Sequence, residues 1–147
     1  MLSTFKTGAI NSNIPSVLQS EYNVSCKYSS SADYSIIKNQ IMTLKKPVII
    51  GLNSAGGGHT AIIDGYYWDN AHTRLTFYKR GSNPPEYKYY DSYTNLDFVA
   101  INWGYDGKDM TESGGTIWYN IKANFPCNAD GNTYSSDDMV YGFTYNK

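Results

Sequence analysis

Pro47-Val48-Ile49-Ile50-Gly51-Leu52 is a continuous apolar run, and beyond the glycines Gly56-Gly57-Gly58 a second one follows, His59-Thr60-Ala61-Ile62-Ile63-Asp64-Gly65-Tyr66-Tyr67. The first is short and rich in β-branched residues, and Lys45-Lys46-Pro47 closes whatever precedes it. A run of that length and composition reads as a central strand buried on both faces. The second opens behind a glycine loop and is equally β-rich, so the two segments set the expectation of a sheet. Asp69-Asn70 supplies a plausible hairpin turn before Arg74 to Lys79, which would pair antiparallel with the His59 strand.

Working outward, residues 14–22 form a short predicted helix: Asn13 can cap it, Pro15 suits a first turn, and Val17, Leu18 and Tyr22 fall on one side. Val24, Cys26 and Tyr28 alternate with Ser25 and Lys27, a strand with Cys26 turned inward. Residues 31–44 carry the clearest helical period, with Tyr34, Ile37, Ile41 and Leu44 on one face and Ser31 or Asp33 as cap. Downstream, residues 81–85 read as a loop and residues 87–90 as a short edge strand. Residues 97–103 form a strong strand and residues 104–115 a mobile loop. Residues 116–119 and 139–145 close the chain as strands, the last with alternating aromatics. The expected class is α+β, one or two N-terminal helices packed on a twisted antiparallel sheet, within a single domain spanning residues 1–147.

Composition narrows the function. A net charge of −1 supplies no positive field to attract phosphate backbones or an acidic membrane surface, which argues against nucleic acid or membrane partners. Met1 to Thr7 lack the charged and apolar regions of a signal peptide, and no stretch approaches the ~18 apolar residues of a membrane span. Fifteen tyrosines and three tryptophans among many Ser, Asn and Gly favour strands over helices, a palette common in secreted bacterial proteins. The two cysteines, Cys26 and Cys127, have neither metal-ligand spacing nor the number of a disulfide framework.

Among the residues that could do chemistry, His59 stands out because side-chain-free backbone before it lets another molecule approach its ring. His72 lies in the expected turn and reads as an exposed polar residue. Asp137-Asp138, and Asp106 with Asp109, lack the regular spacing of a calcium loop and read as solvated acidic loops; no metal or cofactor is expected. Asn23-Val24-Ser25 fits a glycosylation sequon, a match short enough to arise by chance. Tyr87, Tyr89, Tyr90 and Tyr93, with Lys88 among them, could stack on sugars or peptides, but a tyrosine-rich strand edge is the preferred reading.

The run Gly57-Gly58-His59-Thr60-Ala61-Ile62-Ile63-Asp64-Gly65-Tyr66, preceded by Lys46-Pro47-Val48 and followed by Val99-Ala100-Ile101-Asn102-Trp103-Gly104-Tyr105, resembles the streptopain family of papain-like cysteine peptidases. The resemblance covers residues 14–120 and is most specific at His59 and at residues 102–104. It implies the right-hand, histidine-bearing half of a papain-like domain, with His59 as general base and Asn102 and Trp103 as its supporting residues. It also implies a secreted bacterial hydrolase acting on peptides or proteins. A thiolate nucleophile needs an imidazole within hydrogen-bond reach and a third group on the other ring nitrogen to fix its tautomer. Adjacent strand residues point to opposite faces, so only one of Asn102 and Trp103 shares the face of His59 unless a bulge or strand end intervenes.

The same resemblance leaves the nucleophile unaccounted for. The family's cysteine opens a helix on the other half of the domain, and neither Cys26, in an alternating strand, nor Cys127, beside Pro126, stands in such a turn. The leading expectation is a half-site, inactive until a cysteine half is supplied in the same or another chain. The alternative is a non-catalytic binding or dimerisation module, whose exposed sheet face would take a second copy or a partner chain.

Overall fold

The computed structural model describes residues 10–104 and 117–146. Among the described residues, seven strands form one antiparallel sheet: β1 (Val24–Ser29), β2 (Val48–Ser54), β3 (Gly57–Tyr78), β4 (Tyr87–Asn102), β5 (Trp118–Asn120), β6 (Phe125–Pro126) and β7 (Thr133–Tyr145). Their spatial order is β1-β7-β2-β3-β4-β5, with β6 paired to β7. Two short helices, α1 (Ile14–Tyr22) and α2 (Tyr34–Lys38), accompany it, so the class is α+β as expected. No helix among the described residues is long and apolar enough to cross a membrane.

The apolar run from Pro47 to Leu52 supplies β2, lying between β7 and β3 as a central strand should. Val48, Ile50 and Leu52 point to one face, where they meet Ala61 and Ile63 of β3, Val99 and Ile101 of β4, Met139 of β7 and Ile37 of α2. Burying side chains of this kind contributes roughly 1.5–3 kcal/mol each. This is the core face of the sheet. Trp103, Tyr119, Phe125 and Tyr134 extend it with aromatic rings.

Helix α2 starts where the sequence allowed, at Asp33, whose side chain accepts from the amides of Ser35 and Ile36. The periodic pattern over residues 31–44 is not one α-helix, however. After Lys38 the chain widens into a π turn, Asn39–Thr43, which rotates the following residues and leaves Leu44 exposed. Gln40 is the reason such a turn is tolerable. Its side chain is buried and accepts from the amide of Gly142, and its carbonyl accepts from the amide of Lys46. Helix α1 has the expected bounds and its proline in the first turn, but no side-chain cap from Asn13, and none of its residues is buried. Val17 and Tyr22 therefore face solvent.

The largest departure lies beyond Tyr67. Asp69 and Asn70 do not turn the chain. They sit inside β3, paired with Leu96 and Asn95 of β4, and the hairpin closes only at residues 79–86, where Gly81, Pro84 and Pro85 supply the turn chemistry. The expected edge strand at residues 87–90 and the strand at residues 97–103 are accordingly one strand, β4, which ends at Asn102. Because β2 accompanies β3 only as far as Ile63 and β5 accompanies β4 only between Phe98 and Ala100, the rest of the hairpin is a two-stranded arm. From Tyr67 to Tyr78 it extends roughly 40 Å at strand rise. Strands β5 and β7 occupy the places expected for the closing strands, β7 beginning earlier, at Thr133; the expected loop at residues 104–115 lies outside the described residues apart from Gly104.

One irregularity sets which side chains share a face. The β3–β4 register shifts between Ile63 and Gly65, so that Ile63 opposes Ile101 while Gly65 opposes Ala100. Asp64 is the extra residue of a bulge. It keeps Tyr66, opposite buried Val99, on the core side and sends Gly65 and Tyr67 to the other. There the Tyr66 hydroxyl donates to Asp97 at 2.7 Å, and burial together with that carboxylate pushes the phenol well above its ordinary pKa. Lys38 of α2 lies 3.8 Å from the same carboxylate, so the root of the arm is tied to the helix.

Candidate functional site

His59 lies two residues into β3, opposite Leu52 of β2. The glycines before it are less of a loop than their composition implied. Ala55 and Gly56 alone form the turn, while Gly57 and Gly58 are already paired with Ser54 and Asn53. Gly57 has a φ of 127°, a conformation that favours glycine, and the Ser54 hydroxyl donates to its carbonyl at 2.9 Å. A tight two-residue reversal thus fixes the backbone that carries His59.

Alternation along β3 puts His59 on the core face with Ala61 and Ile63, and its ring is half-buried. Its ring centre is 5.9 Å from that of Trp103 and 6.0 Å from that of Tyr134. Nε2 lies 3.0 Å from the carbonyl oxygen of Trp103. A carbonyl can only accept, so Nε2 carries the proton and Nδ1 carries the ring's lone pair. The backbone of Trp103 therefore fixes the tautomer and the plane of the imidazole.

Trp103 is itself held. Its indole is buried, Nε1 donates to the Tyr119 hydroxyl at 3.2 Å, and the ring packs edge-on to Tyr119 and tilted against Tyr134. Asn102 occupies the opposite face. It opposes Ile62 in the register, is exposed, and its Oδ1 accepts from the amide of Gly104 at 3.0 Å. The sequence placed Asn102 and Trp103 together as supports for His59; of the two, Trp103 touches the ring and Asn102 does not. Asn102 closes an Asx turn with Gly104, whose φ is 78°, and so ends β4 at the place where the Trp103 carbonyl turns toward His59.

Neither cysteine is prepared to be a nucleophile. Cys26 is half-buried on β1, and β7 and β2 lie between that strand and β3, a separation of about 14 Å at ordinary strand spacing. Burial pushes its thiol up, away from the thiolate. Cys127 is buried in the core, and burial raises its thiol too, against the partial offset of backbone amides from residues 129 and 130.

A cleft of ≈ 430 Å³ runs past the backbone of this region, lined by Ile10, Asn11, Gly51, Asn53, Gly58, His59, Thr60, Asp137 and Asp138 among others. Its polar wall was not foreseen. Asp138 is not a solvated loop residue but a member of β7, and its Oδ1 accepts from the Asn11 side-chain amide at 2.7 Å; Asn11 in turn accepts from the Thr60 hydroxyl at 2.9 Å. The three meet over Gly51, where an added Cβ would stand 1.9 Å from Asp138 Oδ1. A lone glycine inside an apolar strand is the sequence signal for such a close approach, and Gly51 was legible in that sense.

No family model, curated protein or solved structure matches the chain.

Proposed function

We propose that the chain is the histidine-bearing half of a streptopain-like cysteine peptidase, with His59 as general base and the thiolate supplied by a segment other than the described strands. The observation that carries this reading is the bond from His59 Nε2 to the Trp103 carbonyl. With that nitrogen committed as a donor, Nδ1 is the atom that takes a proton from an incoming thiol and returns it to the leaving amine. Trp103 is the positioning residue, its backbone held in place by the buried indole, while Asn102 ends β4 without touching the ring. The raised thiols of Cys26 and Cys127 support a base without its own nucleophile.

The test uses a peptidyl epoxide that alkylates activated cysteines. The isolated chain should remain unlabelled and should not cleave a fluorogenic peptide. Mixing it with the cysteine-bearing half of a streptopain-type peptidase should give labelling of that half which His59→Ala abolishes. Labelling of Cys26 or Cys127 in the isolated chain, lost in His59→Ala, would place the nucleophile here and overturn the half-site reading.

A second reading, a binding module without chemistry, is favoured by the projecting arm, most of whose residues are exposed on both faces. It expects no labelling in the mixture either.

A further inference from the structure

The two faces of the arm are finished differently. The side continuous with the core face exposes Trp68, Tyr78, Tyr87, Tyr89 and Tyr93, but between them runs a network of ionic and hydrogen-bonding groups that satisfy one another. Asp91 accepts from His72 at 2.8 Å and from two nitrogens of Arg74 at 2.7 and 3.1 Å, His72 stacks on Tyr93 with ring centres 4.6 Å apart, and Arg74 lies over Tyr89. On the other side, Tyr67, Ala71, Leu75 and Phe77 of β3 alternate with their cross-strand partners Phe98, Thr94, Tyr90 and Lys88. Leu75, Phe77 and Tyr90 are each more than half exposed. At the root this stripe runs into an apolar hollow lined by Tyr67, Phe98 and Trp118.

We infer that this face is covered by the same face of a second copy of the chain, the two arms lying antiparallel. The pattern along the stripe is self-complementary. A two-fold axis across the ribbon at the Thr73–Ser92 pair would set Leu75 over the second copy's Ala71 and Tyr90 over the second copy's Thr94, large side chains on small ones. The same operation carries Phe77 over the second copy's Asp69 and Lys88, near the tip, over the second copy's Leu96, so that Lys88 reaches the neighbouring Asp69 carboxylate and each end of the interface gains an opposite-charge contact.

The area suffices. Aromatic and large aliphatic side chains about half exposed leave on the order of 100 Å² each, so Tyr67, Leu75, Phe77 and Tyr90 offer roughly 400 Å² of apolar surface per copy. Doubled, and with its polar margin, it passes the about 1,000 Å² a specific interface needs. A two-stranded ribbon is also marginal alone in water, and a second ribbon on its apolar face makes it a four-stranded sandwich. The dimer leaves the His59 site untouched, so it holds or fails independently of the proposed chemistry.

Sedimentation velocity over protein concentrations from about 1 μM to about 1 mM tests it. The chain should sediment as a monomer–dimer equilibrium. Leu75→Glu should leave only monomer. Lys88→Glu and Asp69→Lys should each weaken the dimer about tenfold by setting like charges together, and the two combined should restore it while far-ultraviolet circular dichroism stays unchanged in all variants. A monomer across the whole range, a dimer indifferent to Leu75→Glu, failure of the double reversal to recover association, or growth into open polymers through the strand edges would each overturn the arrangement.

Discussion

The carbonyl of Trp103 accepts a hydrogen bond from His59 Nε2 at 3.0 Å, across 44 residues of sequence, while the neighbouring Asn102 spends its side-chain oxygen on the amide of Gly104. Orientation of the imidazole is therefore a property of backbone, held in place by a buried indole. Trp103→Ala should cost about 3–5 kcal/mol in urea unfolding, the range for emptying a large aromatic site. Trp103→Phe should keep the carbonyl in place and lose less, part of it through the missing donor to Tyr119. Asn102→Ala should cost about 1 kcal/mol or less, the size of one exposed hydrogen bond.

Gly51 has no room for a methyl group, since its Cβ would meet Asp138 Oδ1 at 1.9 Å and Asn11 Nδ2 at 2.6 Å. Gly51→Ala should destabilise the protein by about 1–3 kcal/mol, the cost of overpacking. Adding Asp138→Ala should recover part of that loss, because it removes the nearest clashing atom. Thermal unfolding of the single and double variants measures the coupling, and strict additivity of the two changes would show that Asp138 does not approach Gly51.

The Asp91 carboxyl is brought down to about 2, first by the hydrogen bond from Arg74 and then by that from His72. A depressed carboxylate pKa contributes stability that is complete above the unfolded-chain value of ~3.9 and lost as pH falls toward the folded value. The arm should therefore loosen between about pH 4 and about pH 2. Amide hydrogen exchange at Thr73 and Ser92, which face each other across the β3–β4 ladder next to this network, should accelerate in that window in the native chain, and Asp91→Asn should remove the pH dependence. Exchange that is flat across the window would contradict the network.

Both thiols are raised by burial, so neither should react quickly with an aromatic disulfide at pH 7. Cys26, the less buried, should react first, with a rate that keeps climbing above the ordinary thiol pKa of ~8.5, and Cys127 should react only after urea opens the core. A fast phase at neutral pH that disappears in Cys26→Ser would mean an activated thiol on β1.

The β2–β3 hairpin was legible because its information is local: an apolar run, a glycine turn and a second apolar run leave few alternatives. The arm was not, since Asp69-Asn70 has the chemistry of a turn and only its pairing with Leu96 and Asn95, far along the chain, shows that β3 continues. Helix period failed at residues 31–44 for a related reason. A π turn stabilised by Gln40 contacts to Gly142 shifts the phase without changing the residues that carry it. At the site, the alternation of strand faces told that Asn102 and Trp103 must part, but not that the decisive group on Trp103 is its carbonyl, because a backbone acceptor has no signature in sequence. The wall formed by Asn11 and Asp138 joins residues 127 apart and was equally hidden, except for the glycine beneath it.

The ring of His59 offers the most direct check on the whole account. Long-range nitrogen–proton correlation spectra of the ¹⁵N-labelled chain, recorded where the imidazole is neutral, should show a single tautomer protonated at Nε2, and that signature should survive Asn102→Ala. A ring protonated at Nδ1, or an even mixture of the two tautomers, would mean that Trp103 does not orient His59 and that no base is prepared there.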